Sequence, residues 1–353
     1  MATSGTVGQT VISVATLIDH SLRRAGIPAA KVTTDIQRAA RENLFFYLCT
    51  MANAGINIWT IEKTITGYVS GKQVYQMPVG TIEILNALYR TVTLPQDGTA
   101  YSSAGGTAAN AFDQDIETAC TQTSINGYIS YQWTTAVSVT SVGIMSNVER
   151  DYTLVWEASD DGITWVEILS SEAQTYPDRD WVYFDINASR SMSYFRVRET
   201  GGAILNVREV VFGQNPYTIP MARMNMDDYT NLVNTTFQQR QITQYWFRRE
   251  LAQPTINLWP VPNYNFDQMV FWRTRQIQDV GALTDEIEMP QRWFEALVCE
   301  IALRMVMEIP DADLNRIPIL QGMAEKASLA ANDEERDKSP INLTPNIGPY
   351  TTR

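Results

Sequence analysis

The residue types that do most enzymatic chemistry are thinly spread in this sequence of 353 residues. It holds one histidine, His20, and three cysteines, Cys49, Cys120 and Cys299. A histidine-activated nucleophile needs a Ser or Cys beside the imidazole and a third group to orient it. No Gly-x-Ser-x-Gly elbow is present to supply one. His20 falls in a helical pattern, where a surface or capping role is expected. The cysteines are odd in number, far apart and without a Cys-x-x-Cys pair. That argues against a disulfide framework and a zinc site, and fits a chain made in a reducing cytosol. Walker A, Gly-x-Gly-x-x-Gly and His-Glu-x-x-His motifs are absent. Carboxylates are plentiful, and Asp160-Asp161 invites the paired-acid chemistry of glycoside cleavage. Both lie in a turn, however, where Asp is favoured for bonding backbone amides. The expectation is a protein that is not an enzyme.

One loop has metal-site chemistry. In Ala111-Phe-Asp-Gln-Asp-Ile-Glu-Thr118, the residues Asp113, Asp115 and Thr118 offer hard oxygens at close spacing, the donors calcium takes. A loop without an ion is the alternative, because Asp-x-Asp is common in turns. The aromatics Trp133, Trp156, Trp165, Trp181 and Tyr183 include candidates for a sugar-stacking platform. At alternating strand positions they are expected in the core.

The chain has 27 basic and 39 acidic residues, a formal net charge of -12. Such a surface repels phosphate, so stable binding of nucleic acid is not expected, although DNA can slide past it. An apolar fraction of 44% suits a folded protein with a sizeable core, and the length suits two or three domains. The first ten residues show no signal-peptide pattern, and no apolar run reaches the length of a membrane span.

The elements that must position these residues follow from periodicity. Thr10 to Ala25 and Thr34 to Ala54 read as helices stopped by Gly26 and Gly55. Ile58 to Tyr68 and Gln73 to Met77 flank Ser70-Gly71 as a hairpin, and Ile82 to Leu94 is β-prone. Pro95 to Asn110 is rich in Gly, Ser, Thr and Ala, which is loop chemistry. Tyr128 to Gly213 is dense in short strands, with Asp161-Gly162 a tight turn, and reads as a sandwich. After Gln214-Asn215-Pro216 come a short helix at Met224 to Val233 and strands at Ile242 to Leu251, Ile256 to Trp259 and Gln268 to Gln276. Helices then run from Gln291 to Glu308, behind Pro290, and onward from Pro318. From Asp333 the tail is polar and proline-bearing, expected to be extended unless a partner orders it.

Two resemblances attach to definite residues. The acidic loop, the hairpin Ser159-Asp-Asp-Gly-Ile-Thr-Trp165 and the strands Tyr194-Phe-Arg-Val-Arg198 and Val207-Arg-Glu-Val-Val-Phe-Gly213 resemble the discoidin-like, galactose-binding-type jelly roll. That resemblance implies a structural calcium held by Asp113, Asp115, Thr118 and the late Glu209. Gln114 stands where the family prefers glycine. The flanking segments resemble the head-to-tail adaptor (connector) proteins of short-tailed bacteriophages. The matching pieces are the helical hairpin ending in Asn57-Ile-Trp59, Leu258-Trp-Pro-Val-Pro262, Met289-Pro-Gln-Arg-Trp-Phe-Glu-Ala-Leu297, and Asn332-Asp-Glu-Glu-Arg336 with its polar tail.

The adaptor resemblance implies a homo-dodecameric ring in the virion neck, assembled in the bacterial cytoplasm, through which genome DNA passes without specific binding. The tail residues Asp333, Arg336, Pro340, Pro345, Pro349 and Tyr350 would dock the portal protein. The insert would meet the tail tube or nozzle protein, fibres or glycans, and no membrane is involved. The reading is thus an α+β protein: a helical adaptor core with small β elements (residues 1–95 and 215–332), an inserted all-β jelly roll (96–214) and an extended tail (333–353). Its function is a structural adaptor; a carbohydrate-binding virion protein is the alternative, and a peptidoglycan hydrolase a further one.

Overall fold

The structure, a computed structural model, describes residues 12–54, 60–94, 97–186, 191–250, 253–278, 280–310 and 312–335. It is a mixed α+β protein of two compact units. One comprises Met1–Ile61 with Gln276–Arg353, the other Glu62–Arg275.

The first unit is helical. Ser13 caps the helix Val14–Ala25 by accepting from the Thr16 N–H at 3.3 Å, and Gly26 closes it at φ 85°. Glycine takes that left-handed conformation without a Cβ penalty, so Gly26 stops the helix as its type predicts. The second helix is Thr34–Ala54. A 3-10 turn at Gln291–Trp293 leads into the helix Phe294–Glu308, which packs against the other three helices. Leu17, Leu22, Leu44, Leu297, Ile301 and Leu320 share the core.

The last helix is Ile317–Glu335. It runs past the expected start of the tail because Glu335 is buried, where it pairs with Arg292 and accepts from Trp293 Nε1 at 3.3 Å. Asp333 is therefore helical. Arg336, Pro340, Pro345, Pro349 and Tyr350 lie outside the described residues.

The second unit is almost all β. A seven-stranded sheet runs in the order Ile61–Gly67, Gln268–Arg275, Thr81–Thr93, Asn206–Pro220, Ser141–Ser146, Trp181–Asp185, with Cys120–Thr121 pairing beside Asn206–Pro220. A five-stranded antiparallel sheet runs Val166–Ser170, Leu154–Ser159, Ser191–Glu199, Tyr128–Ser138, Gly98–Ser102. The faces of these two sheets enclose one core of Trp133, Trp156, Phe195 and Phe212 with Ile144 and Val210. Trp156 meets Phe212 edge-on with ring centroids 5.7 Å apart, the arrangement the ring quadrupole favours. This is the jelly-roll-type sandwich.

The expected hairpin around Ser70-Gly71 is not formed. Ile61–Gly67 lies at the edge of the seven-stranded sheet, whereas Val74–Gln76 pairs with Thr255–Trp259 in a four-stranded sheet. Tyr68, Tyr75 and Met77 are buried in a core shared with Tyr89, Leu258 and Met269. The turn thus carries the chain between layers so that both segments bury their apolar side chains.

The long strand Asn206–Pro220 decides how the sandwich is mounted. Val210 pairs with Ile144 inside the sandwich, and Ile219 pairs with Tyr89 outside it. Between them the register shifts from Gln214 to Tyr217, and Asn215 takes φ 46°. Gln214-Asn215-Pro216, where the sequence changes style, is a β-bulge in one continuous strand. Around this seam Val92, Leu94, Met145, Trp181, Tyr183, Val211 and Phe266 form a further core. Arg90 bonds Asp185 at 2.8 Å, Lys63 also pairs with Asp185, and Lys72 reaches Asp180 at 2.6 Å.

Candidate functional site

The acidic loop folds largely upon itself. Asp113 accepts from the Asp115 N–H (2.9 Å) through one oxygen and from the Thr118 hydroxyl (2.9 Å) through the other. Asp115 accepts from the Glu117 N–H at 3.0 Å. Gln114 sits at φ 63°, the left-handed conformation a side chain pays for in sterics. The strand Asn206–Pro220 brings Glu209 beneath this loop, 1% exposed, with Oε1 lacking any partner. Burial, together with the neighbouring Asp113 carboxylate, pushes the Glu209 carboxyl up to about 9. A cavity of about 10 Å³, room for about one water, is lined by Gln114 and Glu209 together with Leu94, Phe112 and Phe266.

Of the four proposed ligands Asp113 and Glu209 are neighbours, and Asp113, Asp115 and Thr118 are all engaged in the loop's own bonds. Among the described residues no group of three or more His, Cys, Asp or Glu side chains is arranged to hold a metal ion. The orphaned Glu209 oxygen beside a carboxylate still has the chemistry of a hard-cation seat, since a bound ion or a proton must satisfy it.

The aromatics divide sharply. Trp133, Trp156, Trp181 and Tyr183 are each no more than 5% exposed and belong to cores. Trp165 alone is half-buried at the surface, on the outer face of the five-stranded sheet. There its ring stacks on the Arg196 guanidinium at 3.9 Å, and Tyr128 covers the same guanidinium at 4.8 Å. Tyr101, 56% exposed, continues the row beside Tyr128 with centroids 5.9 Å apart. Alternation puts Tyr194, Arg196 and Arg198 on this face, because Phe195 and Val197 point into the core. Glu157 accepts from Arg196 Nε at 2.6 Å and from Arg198 Nε and Nη2 at 3.2 Å each. Burial alone would raise the Glu157 carboxyl; the two guanidiniums outweigh it and hold it below the usual carboxylate range. Strand Leu154–Ser159 is buried on both faces because these side chains cover it.

Asp161 is a turn device. Its carboxylate accepts from the backbone of Thr164 and Ile163 and from the Ser159 hydroxyl, which holds it down at about 2. His20 is exposed on its helix. Burial raises the Cys120 and Cys299 thiols, away from the reactive thiolate.

No protein-family model and no curated protein matches the chain. Solved structures similar to it include carbohydrate-binding modules. One is CBM32-5 of CpGH89 from Clostridium perfringens, in complex with GalNAc-β-1,3-galactose, at 12% identity over 33% of this chain and 95% of that one, TM-score 0.30. Another is the CBM32 of AlyQ in complex with 4,5-unsaturated mannuronic acid, at 15% identity over 33% and 95%, TM-score 0.30. A third is the family 32 module of C. perfringens NanJ in complex with galactose, at 15% identity over 32% and 90%, TM-score 0.27. These describe those modules; the sandwich here rests on its own sheet order and core.

Proposed function

We propose that this chain works by binding and not by catalysis, with its sandwich recognising carbohydrate. The observation that carries this reading is the outer face of the five-stranded sheet. The exposed ring of Tyr101 and the half-buried Trp165 lie there beside the polar Gln132, Tyr194 and Arg196, the mixture that sugar rings and their hydroxyls require. The test is a glycan array probed with the full chain, with and without calcium. Retention on a defined set of glycans is expected; absence of binding under both conditions overturns the reading.

A second reading concerns the rest of the chain, a head-to-tail adaptor subunit. It is favoured by the order of the adaptor-like segments and by the shared strand Asn206–Pro220, which fixes the sandwich within the larger β unit. On this reading the copies form a ring beneath the portal, the C-terminal segment docks the portal protein, and the sandwich projects toward tail proteins, fibres or glycans. Electron microscopy of the purified protein should show rings on a rotation axis. A chain that stays monomeric and never associates with a portal protein removes this reading.

A further inference from the structure

We infer that Arg196, clamped between Trp165 and Tyr128, is the carboxylate-binding centre of a site for acidic oligosaccharides on the outer face of the five-stranded sheet. The inference rests on the carbohydrate reading above and names its ligand class.

A surface arginine is normally mobile, and ordering it costs rotamer entropy. Here that cost is already met. The ring faces lie 3.9 and 4.8 Å from the guanidinium carbon, and Nε is tied to Glu157 at 2.6 Å. The Arg196 side chain is 15% exposed, and among the described residues its two Nη nitrogens have no protein acceptor. Arg198 stands two residues along on the same face, its Nε and Nη2 on Glu157, leaving Nη1 unbonded. Glu157 is thus consumed by the two arginines, and Glu167, opposite it on the neighbouring strand, is the other acid of the row. What remains are planar, fixed donors without a protein acceptor, the fork that matches a carboxylate in two parallel hydrogen bonds.

The row crossing the sheet runs Glu167, Glu157, Arg196, Ser130, Tyr101. Ser130 is the small member, 9% exposed, between the fixed guanidinium and the exposed Tyr101 ring. A sugar ring stacked on Tyr101 would sit beside Tyr128, whose ring covers the guanidinium, and would direct a ring carboxylate past it toward the Arg196 Nη nitrogens. A neutral sugar finds the stacking ring but leaves the charged donors without an acceptor. Uronate-containing oligosaccharides are therefore the class this face selects.

The experiment is titration calorimetry of the full chain with oligogalacturonates and with neutral galacto-oligosaccharides of equal length. The acidic series should bind, weaken as salt rises, and exceed the neutral series by at least about tenfold, the worth of one charge-assisted pair. Arg196→Gln should lose at least about tenfold of that affinity, and Arg196→Lys, which keeps charge but not the fork, should fall between. If Arg196→Gln does not fold, Tyr101→Ala still tests the site: its ring is mostly exposed and outside the cores, and several-fold loss is expected. Equal binding of neutral and acidic sugars overturns the inference while leaving carbohydrate recognition intact. Binding of neither overturns both.

Discussion

Asp185 is where the sandwich is tied electrostatically to the strands outside it, and Asp185→Ala measures that tie. The carboxylate accepts from Arg90 at 2.8 Å through one oxygen and from Lys63 through the other. Arg90 is 8% exposed and has one further bond, Nε to Gln268 at 2.7 Å; its Nη2 is buried without a partner. Removing Asp185 strands a buried guanidinium, which costs about 3–5 kcal/mol when the pair is fully enclosed. Water reaches 24% of the Asp185 side chain and 40% of Lys63, so the expected loss is smaller, about 2–3 kcal/mol. In urea unfolding followed by tryptophan fluorescence this is a midpoint shift of roughly 1 M or slightly less. The pH dependence supplies the sign. Burial pushes the Asp185 carboxyl up, but Lys63 and Arg90 outweigh it and hold the folded-state value low. A depressed carboxylate contributes stability above its unfolded value of about 3.9 and loses it as pH falls through the folded value. The deficit of Asp185→Ala should therefore be full at pH 7 and shrink below about pH 4. Arg90→Met in the same background should recover part of it, because the stranded charge is gone. A loss under about 0.5 kcal/mol, or one equal at pH 3 and pH 7, would refute the reasoning.

Three further outcomes follow from single residues. Gln114→Gly removes a side chain held at φ 63° and should raise the melting temperature by a few degrees, worth about 1 kcal/mol; a lower value in scanning fluorimetry would show that Gln114 makes a bond worth more than its strain. Gly67→Ala would place a Cβ 2.4 Å from the Trp181 ring and should destabilise by about 1–3 kcal/mol with a shifted tryptophan emission; unchanged emission would mean the seam has slack. Calcium at millimolar levels should raise the melting temperature of the wild type, chelator should reverse it, and Glu209→Ala should abolish the response; a flat response in the wild type would leave Glu209 satisfied by a proton alone.

The helices were legible because their stop signals are local: Gly26 and the Pro290 entry act within a turn. The sandwich strands were legible for the same reason, alternation being visible within five residues. What could not be read is long-range. Gln214-Asn215-Pro216 has loop chemistry, yet a bulge absorbs it, because the pairing of Tyr217 with Thr91 lies more than a hundred residues back along the chain. The Ser70-Gly71 turn looked like a hairpin since both flanks are β-prone; only the burial of Tyr68 and Tyr75 between sheets decides that the flanks part. Glu209 became part of the candidate site through resemblance, and its orphaned oxygen is visible only in the fold. The Arg196 clamp had a faint signal, arginines alternating with core residues at Tyr194-Phe-Arg-Val-Arg198, but its second ring comes from another strand.

The shared strand changes what the insert can do. A domain joined by two flexible linkers tumbles, and each binding event must stop that motion. Here entry and exit differ: the exit is the strand Asn206–Pro220 itself, locked by the Trp181–Phe266 contact at 5.5 Å and by the Asp185 pairs. Cutting the chain after residue 214 would divide that strand and expose Trp181 and Tyr183, so the recognition face belongs to the larger β unit and not to an excisable module. If copies of the chain assemble, the face is present once in each copy. A single Tyr101–Arg196 site on an open sheet can then be weak, while an array of them engages a repeating polysaccharide with far greater combined strength, because effective concentration replaces affinity. The net charge of -12 works the other way, opposing the approach of acidic chains. Selectivity for acidic sugars on so acidic a protein would therefore have to come from Arg196 and Arg198, and it should be the first property lost when either is changed.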